Sequence, residues 1–225
     1  MGFVDRVIYK LLKIERTYSQ TGEDKILKHL FNCYNKSKIS YLDIGTNHPI
    51  MNNNTYLFYR MKGSGVCVEP NPALAHLIRK FRSRDKCLSV GVGEFDEQSR
   101  DFYNMSDHTL STFSKEDAAA LDAEGKYKIV EVKKIPVRNI NSIISENFSA
   151  PIDLVSIDVE GWNENIVASF DFSRHRPFCF CIETITFSET NDEEKLTGIL
   201  DVFERNDYRV YADTHINTIF LDARI

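Results

Sequence analysis

Long apolar runs, glycine-rich loops and paired cysteines are all scarce in this chain, and each shortage removes a class of protein. No apolar stretch approaches the ~18 residues of a membrane span. The N-terminus has neither the apolar core nor the small-residue cleavage site of a signal peptide, so secretion is not expected. Basic residues are not in excess: 28 Lys and Arg stand against 33 Asp and Glu, a formal net charge of −5. That balance excludes the basic footprint of a nucleic-acid-coating surface. The five cysteines, Cys33, Cys67, Cys87, Cys179 and Cys181, include no C-x-x-C spacing, which argues against the common structural zinc sites. Cys67, Cys179 and Cys181 lie in apolar runs where a thiol packs as a small hydrophobe, and the odd total suits a reducing, cytoplasmic compartment. With 10 Gly and 6 Pro, collagenous and low-complexity readings fail as well. What remains is a chain of 225 residues, 42% hydrophobic, able to bury a core without staples.

The first apolar pattern is helical. Phe3, Val4, Val7, Ile8, Leu11, Leu12 and Ile14 recur at helical spacing, with Arg6, Lys10 and Lys13 among them. Residues 1–17 are therefore read as an N-terminal basic amphipathic helix, which either packs on the body of the protein or docks on an anionic membrane surface. A second helix is expected over residues 20–34, with Thr21 as its N-cap.

From residue 38 onward, short apolar runs alternate with helical segments. Strands are expected at 38–44, 65–69, 86–92 and 153–157, and helices at 53–61 and 72–81 between the first three. The pieces at 101–105 and 129–135, with helices near 114–121 and 139–146, are read as peripheral to that core. Further on come a helix at 164–170, a strand at 178–183, a helix at 192–206 and strands at 208–212 and 218–221. Such alternation implies right-handed crossovers and a parallel sheet. The last two strands, joined by a short loop, should form an antiparallel hairpin. The fold class is thus α/β, a Rossmann-like, mostly parallel sheet with a C-terminal antiparallel hairpin, preceded by N-terminal helices.

In an open α/β sheet, ligands bind beyond the carboxyl ends of the strands. Those ends carry Asp43, Gly45 and Asn47 after the first strand, Glu69 and Asn71 after the second, and Asp158 with Glu160 after the fourth. The dinucleotide fingerprint G-x-G-x-x-G is missing, since Gly45 stands alone in its loop, so a ligand without a pyrophosphate fits better. S-adenosylmethionine is such a ligand. Glu69 suits its ribose hydroxyls, Asp43 its ammonium, and Gly45 permits close backbone approach.

The residues also carry a family resemblance. The succession YSQTGED (Tyr18–Asp24), YLDIGTNHP (Tyr41–Pro49), NNTYLFYR (Asn53–Arg60), VEPNP (Val68–Pro72), LSTFSKE (Leu110–Glu116) and IDLVSIDVEGWNENIV (Ile152–Val167) resembles the FkbM-type methyltransferases. The resemblance, which covers nearly all of residues 18–185, implies a class I S-adenosylmethionine-dependent fold; with no repeat, Pro-rich linker or composition break, residues 18–225 are read as a single domain. The resemblance also implies O-methyl transfer, frequently to sugar or polyketide hydroxyls and often for surface polysaccharides. Under it Asp43, Gly45 and Asn47 look like the first cofactor motif, Glu69 the ribose acid, and Asp158, Glu160 and Gly161 the motif after the fourth strand. Trp162 and Asn163 depart from the residue pair common there.

Transfer of a methyl group to an alcohol needs a base, for which Asp158 is the first candidate and His48 the second. Asn71 and Asp158 complete the expected cofactor contacts. His108 is read either as part of a lid over the acceptor or as a solvated loop residue, and Asn53, Asn54 and Thr55 chiefly as helix caps. Asp158, Glu160, Glu183 and the two histidines could assemble an oxygen-rich magnesium site, but their spacing does not establish one, and no metal is expected. The expected partner is a carbohydrate or glycoconjugate acceptor, with no nucleic acid, in the cytoplasm or peripherally at the inner face of a membrane. The competing readings are another nucleotide-handling enzyme on the same fold and a non-catalytic cofactor-binding module of a glycan-assembly complex.

Overall fold

The computed structural model describes residues 16–159, 161–186 and 193–225. The amphipathic helix expected within residues 1–15 and the side chain of Glu160 lie outside the described residues. In chain order the elements are α1 (Glu23–Cys33), β1 (Ser40–Ile44), α2 (Tyr56–Arg60), β2 (Ser64–Val68), α3 (Pro72–Phe81), β3 (Lys86–Leu88), β4 (Gly91–Gly93) and β5 (Glu97–Met105). They continue with α4 (Lys115–Ala123), β6 (Ile129–Asn139), α5 (Ile140–Asn147), β7 (Leu154–Ile157), α6 (Asn163–Ala168), β8 (Cys179–Glu183), α7 (Thr197–Arg205), β9 (Tyr208–Asp213) and β10 (Asn217–Asp222).

Seven strands form the main sheet in the order β3-β2-β1-β7-β8-β10-β9. The first five run parallel, and β10 is antiparallel to both its neighbours. This is the mostly parallel sheet with a C-terminal antiparallel hairpin that the alternating pattern predicts. Parallel strands are covered on both faces and so read as continuous apolar runs. Leu154–Ile157 is buried throughout, with Leu154 packing in the cluster of Leu27, Phe31 and Phe58 from α1 and α2. Its neighbour Val155 joins the opposite cluster, where α5, α6 and α7 contribute Ile143, Ile166 and Phe203. The hairpin passes first to the sheet edge and then back inside. Accordingly β10 is buried along its whole length, while β9 exposes Arg209 and Val210. Cys67, Cys179 and Cys181 are fully buried free thiols among these apolar residues, as expected.

Four expectations are corrected. The N-cap of α1 is Gly22, in the left-handed conformation at φ 98°, and not Thr21, whose hydroxyl instead donates to the Glu23 carboxylate. The strand expected at 86–92 is two strands. β3 stays in the main sheet, while β4 leaves it to pair with β6 in a second, three-stranded sheet of order β4-β6-β5. Gly91 lies against the Phe113 ring, whose tip a Cβ there would meet at 2.4 Å. Helix α2 begins only at Tyr56, because the Asn53 carboxamide accepts the Thr55 and Tyr56 N–H groups at 3.1 and 2.8 Å and holds the preceding loop outside it. Helix α7 begins at Thr197. Before it Ile185 and Lys195 pair as extended chain, which takes residues 193–196 out of the helix. The pieces read as peripheral are indeed outside the main sheet, as β5 and β6. Among the described residues no helix is long and apolar enough to cross a membrane.

Candidate active site

The strand order reverses between β1 and β7, the place where an open α/β sheet parts its loops and binds ligands. Register aligns Ile44 with Val68 and with Ile157, and Ile157 with Ile182. Gly45, Glu69, Asp158 and Glu183 therefore leave adjacent strands at one edge. Gly45 has φ 76°, and a Cβ there would lie 1.8 Å from the Asp158 carbonyl oxygen. Its lack of a side chain thus serves the close approach of the β1 and β7 loops.

Glu69 is buried, and each of its oxygens accepts one backbone N–H, from Asn71 and from Asn47, both at 2.8 Å. Burial pushes its carboxyl up to about 7, with these two bonds opposing the rise and the charge of Asp43 adding to it. Each oxygen keeps a further lone pair for a hydroxyl. Asn47, at φ 50°, carries a buried Oδ1 with no partner. Asp158 is half-buried and pushed up to about 6, chiefly by burial and then by the charge of Asp43, while a hydrogen bond with Glu183 opposes the rise. The Asn163 carboxamide ties this corner together. Its Oδ1 accepts the Val159 N–H at 3.0 Å, and its Nδ2 donates to the Glu183 carbonyl at 3.1 Å and to Glu183 Oε2 at 3.2 Å. Gly161 makes the expected tight turn at φ 74°.

Two cavities open on this edge. A slot of about 70 Å³ is lined by Asn47, Glu69 and Asp158 together with the apolar Val68, Phe113 and Trp162. A wider cavity of about 680 Å³ shares Gly45, Asn47, His108 and Asp158 with it and adds His48 and Glu183. Asp158 therefore faces both.

The sequence-predicted residues divide. Gly45, Asn47, Glu69 and Asp158 line the slot, while Asp43 and Asn71 line neither cavity. Asp43 is instead part of a buried cluster: its Oδ2 accepts Thr55 Oγ1 at 2.7 Å, Asn53 Nδ2 at 3.2 Å and Arg82 Nη1 at 3.2 Å. Arg82 is fully buried and also donates from Nε to Asp85 at 2.7 Å, and Asp85 accepts the Tyr41 hydroxyl at 2.8 Å. A buried guanidinium must be paired, and Asp43 Oδ2 supplies that pairing; the three bonds all fall on this one oxygen. Asn71 caps α3 by accepting the Ala73 N–H at 3.0 Å and donates to Asn104 at 3.2 Å, acting as a support of the Glu69 loop.

His48 lines the wider cavity, but its Nδ1 accepts the Ile50 and Met51 N–H groups at 3.1 and 3.0 Å. The proton of the neutral ring therefore sits on Nε2. Burial, and then the neighbouring His108, holds this imidazole below the usual histidine range. His48 thus presents a hydrogen-bond donor where the sequence reading wanted a lone pair. His108 is exposed and lines both cavities, in a short 3-10 turn capped by Asp107, which accepts the Thr109 N–H at 3.0 Å.

Sequence reasoning missed Arg82 and Asp85, and it weighed Glu183 only as a metal ligand. The rule that found Glu69 and Asp158 also points to Glu183, the last residue of its strand. Among the described residues no group of three or more His, Cys, Asp or Glu side chains is placed to hold a metal ion. The lining of the slot has the chemistry an adenosine-bearing ligand needs: an unpaired buried acceptor on Asn47, a carboxylate with free lone pairs on Glu69, and apolar walls.

Sheet order and the reversed strand are those of the class I methyltransferase fold. Residues 43–210 match the family model described as the methyltransferase FkbM domain, and the chain belongs to that family. S-adenosylmethionine is its cofactor. No curated protein matches the chain. Among solved structures it is similar to a TehB-like methyltransferase from Corynebacterium glutamicum, at 10% identity and a TM-score of 0.45, over 98% of this chain and 96% of that one. It is also similar to an O-methyltransferase from Bacillus cereus, at 14% identity and a TM-score of 0.46, over 96% of this chain and 86% of that one. A third is an O-methyltransferase from Streptomyces achromogenes, at 13% identity and a TM-score of 0.47, over 95% of this chain and 85% of that one. Such distant likenesses say nothing about the acceptor.

Proposed function

We propose that this protein transfers a methyl group to a hydroxyl of a sugar or glycan, with Asp158 receiving the hydroxyl proton. The observation that carries the reading is the continuity of the two cavities at Asp158: a ligand slot on one side, and on the other a wide, polar cavity suited to a hydroxyl-rich acceptor. S-adenosylmethionine supplies the electrophilic methyl group when bound. Glu69 would hold the ribose hydroxyls, and the unpaired Oδ1 of Asn47 would accept a donor from the ligand. An alcohol is a poor nucleophile until its proton is taken, and a carboxylate raised toward neutrality takes it more readily than an ordinary one. The bond to Glu183 aims Asp158, while His48 offers an Nε2–H to an acceptor oxygen. Alignment of the acceptor oxygen supplies much of the rate. In this reading the chain works in the cytoplasm, and the basic, apolar spacing of residues 3–14 supports a peripheral contact with an anionic membrane.

The test is incubation with labelled S-adenosylmethionine and a panel of glycans, followed by mass analysis of the products. Asp158→Asn keeps the shape and removes the proton acceptor, so turnover should fall by about 100-fold or more with cofactor affinity nearly unchanged. Joint loss of melting temperature and cofactor affinity would make Asp158 structural. Normal turnover in Asp158→Asn together with none in His48→Ala would reverse the roles. Cofactor binding without any methylated product would favour a non-catalytic module.

A further inference from the structure

The wider cavity is polar in a one-sided way. Its lining carries the carboxyl groups of Asp158, Glu183 and Glu193 and, among the described residues, no Lys or Arg. The nearby Lys195 ammonium is committed elsewhere, to Asp213 Oδ1 at 2.9 Å and to the His215 carbonyl at 2.9 Å. His48 contributes a neutral ring through its tautomer, since both lone-pair contacts at Nδ1 are backbone N–H groups. Gln20, Asn52 and Thr109 add uncharged donors and acceptors, and the imidazoles of His108 and His215 also line the cavity.

On the reading that this cavity takes the acceptor, we infer that it selects an uncharged hydroxyl-rich unit and rejects one bearing a carboxylate or phosphate. Uronic acids, sugar phosphates and nucleotide-linked sugars are then excluded as the unit that reaches Asp158. An anion entering the cavity would lose its hydration and meet carboxylates with, among the described residues, no Lys or Arg in the lining to pair with, which is discrimination by repulsion. Hydroxyls face no such barrier. They can donate to the carboxylates and accept from the amides and from His48 Nε2–H.

The experiment uses the full chain loaded with S-adenosylhomocysteine and ligand-observed NMR at pH 8, where histidines are neutral. Matched pairs are compared: several methyl hexosides, each against the methyl hexuronide of the same ring. The uncharged member should bind about tenfold or more tightly than its partner, and the ratio should narrow as salt is raised. Glu193→Gln should narrow it further, by about threefold, through loss of one like charge. Equal binding within each pair, or tighter binding of the hexuronides, overturns the inference and leaves the acceptor reading standing. A panel in which no hexoside or hexuronide binds, while S-adenosylhomocysteine does, overturns the acceptor reading and this inference together.

Discussion

The cluster around Asp43 and the cleft around Glu69 and Asp158 begin from the same material, carboxylates at the ends of adjacent parallel strands, and come to opposite uses. In the cluster the protein supplies a buried cation and two further donors: Asp43 Oδ2 meets Arg82, Thr55 and Asn53, and Arg82 in turn meets Asp85. In the cleft the partners are backbone N–H groups or another acid. No cation faces Glu69 or Asp158 in the hydrogen bonds and charges described for them, and both carboxyls rise toward neutrality. An acid with a buried cation is a structural element, whereas one left short of partners at a cavity can bind or react. The charge of Asp43 reaches both groups across the boundary and adds to each rise.

The sharpest way to break this comparison is to remove the cation. Arg82→Met would leave Asp43 and Asp85 buried without a counter-charge, and stability should fall by about 3–5 kcal/mol. Denaturant unfolding measures it. A loss below about 1 kcal/mol would mean that Asp43 is no more committed than the acids of the cleft. Next in size, Glu69→Ala should weaken S-adenosylhomocysteine binding by about 1.5–3 kcal/mol, the scale of hydrogen bonds to a charged group. Calorimetry reads this directly, and unchanged affinity would remove Glu69 from the site.

The smallest effect concerns pH. The folded-state carboxyl of Glu69 stands at about 7 against an ordinary 4.5. Without ligand, its contribution to stability is present below the ordinary value and is lost as pH rises through about 7. Ribose hydroxyls donate to the ionised form, so protons compete with the ligand. Affinity should therefore weaken by about three- to tenfold from pH 8 to pH 6, and the ligand should raise the melting temperature more at pH 8. Glu69→Gln should flatten both dependences. A pH-independent affinity in the unaltered protein would show that Glu69 enters the complex in one protonation state throughout.

Chain order and period were enough to place the main sheet and most of its acids. Apolar runs such as Leu154–Ile157, alternating with helical segments, imply buried parallel strands, and the strand-end rule then brings Gly45, Glu69 and Asp158 to one edge. These are local properties, in which burial on both faces leaves its mark residue by residue. The departure of β4 from the main sheet was not legible, because its pairing partner is β6, whose Val137 stands opposite Gly91 from 46 residues further along the chain. The sorting of the acids was equally out of reach. Asp43 and Asp158 look alike as strand-ending carboxylates, and only the fold brings Arg82, 39 residues away from Asp43, to one of them and Glu183 to the other. A hydrogen bond acts over about 3 Å while the sequence records only separation along the chain. The residue types and strand ends were therefore written locally, and the division of those acids between holding the fold and serving the cleft was decided by tertiary contact.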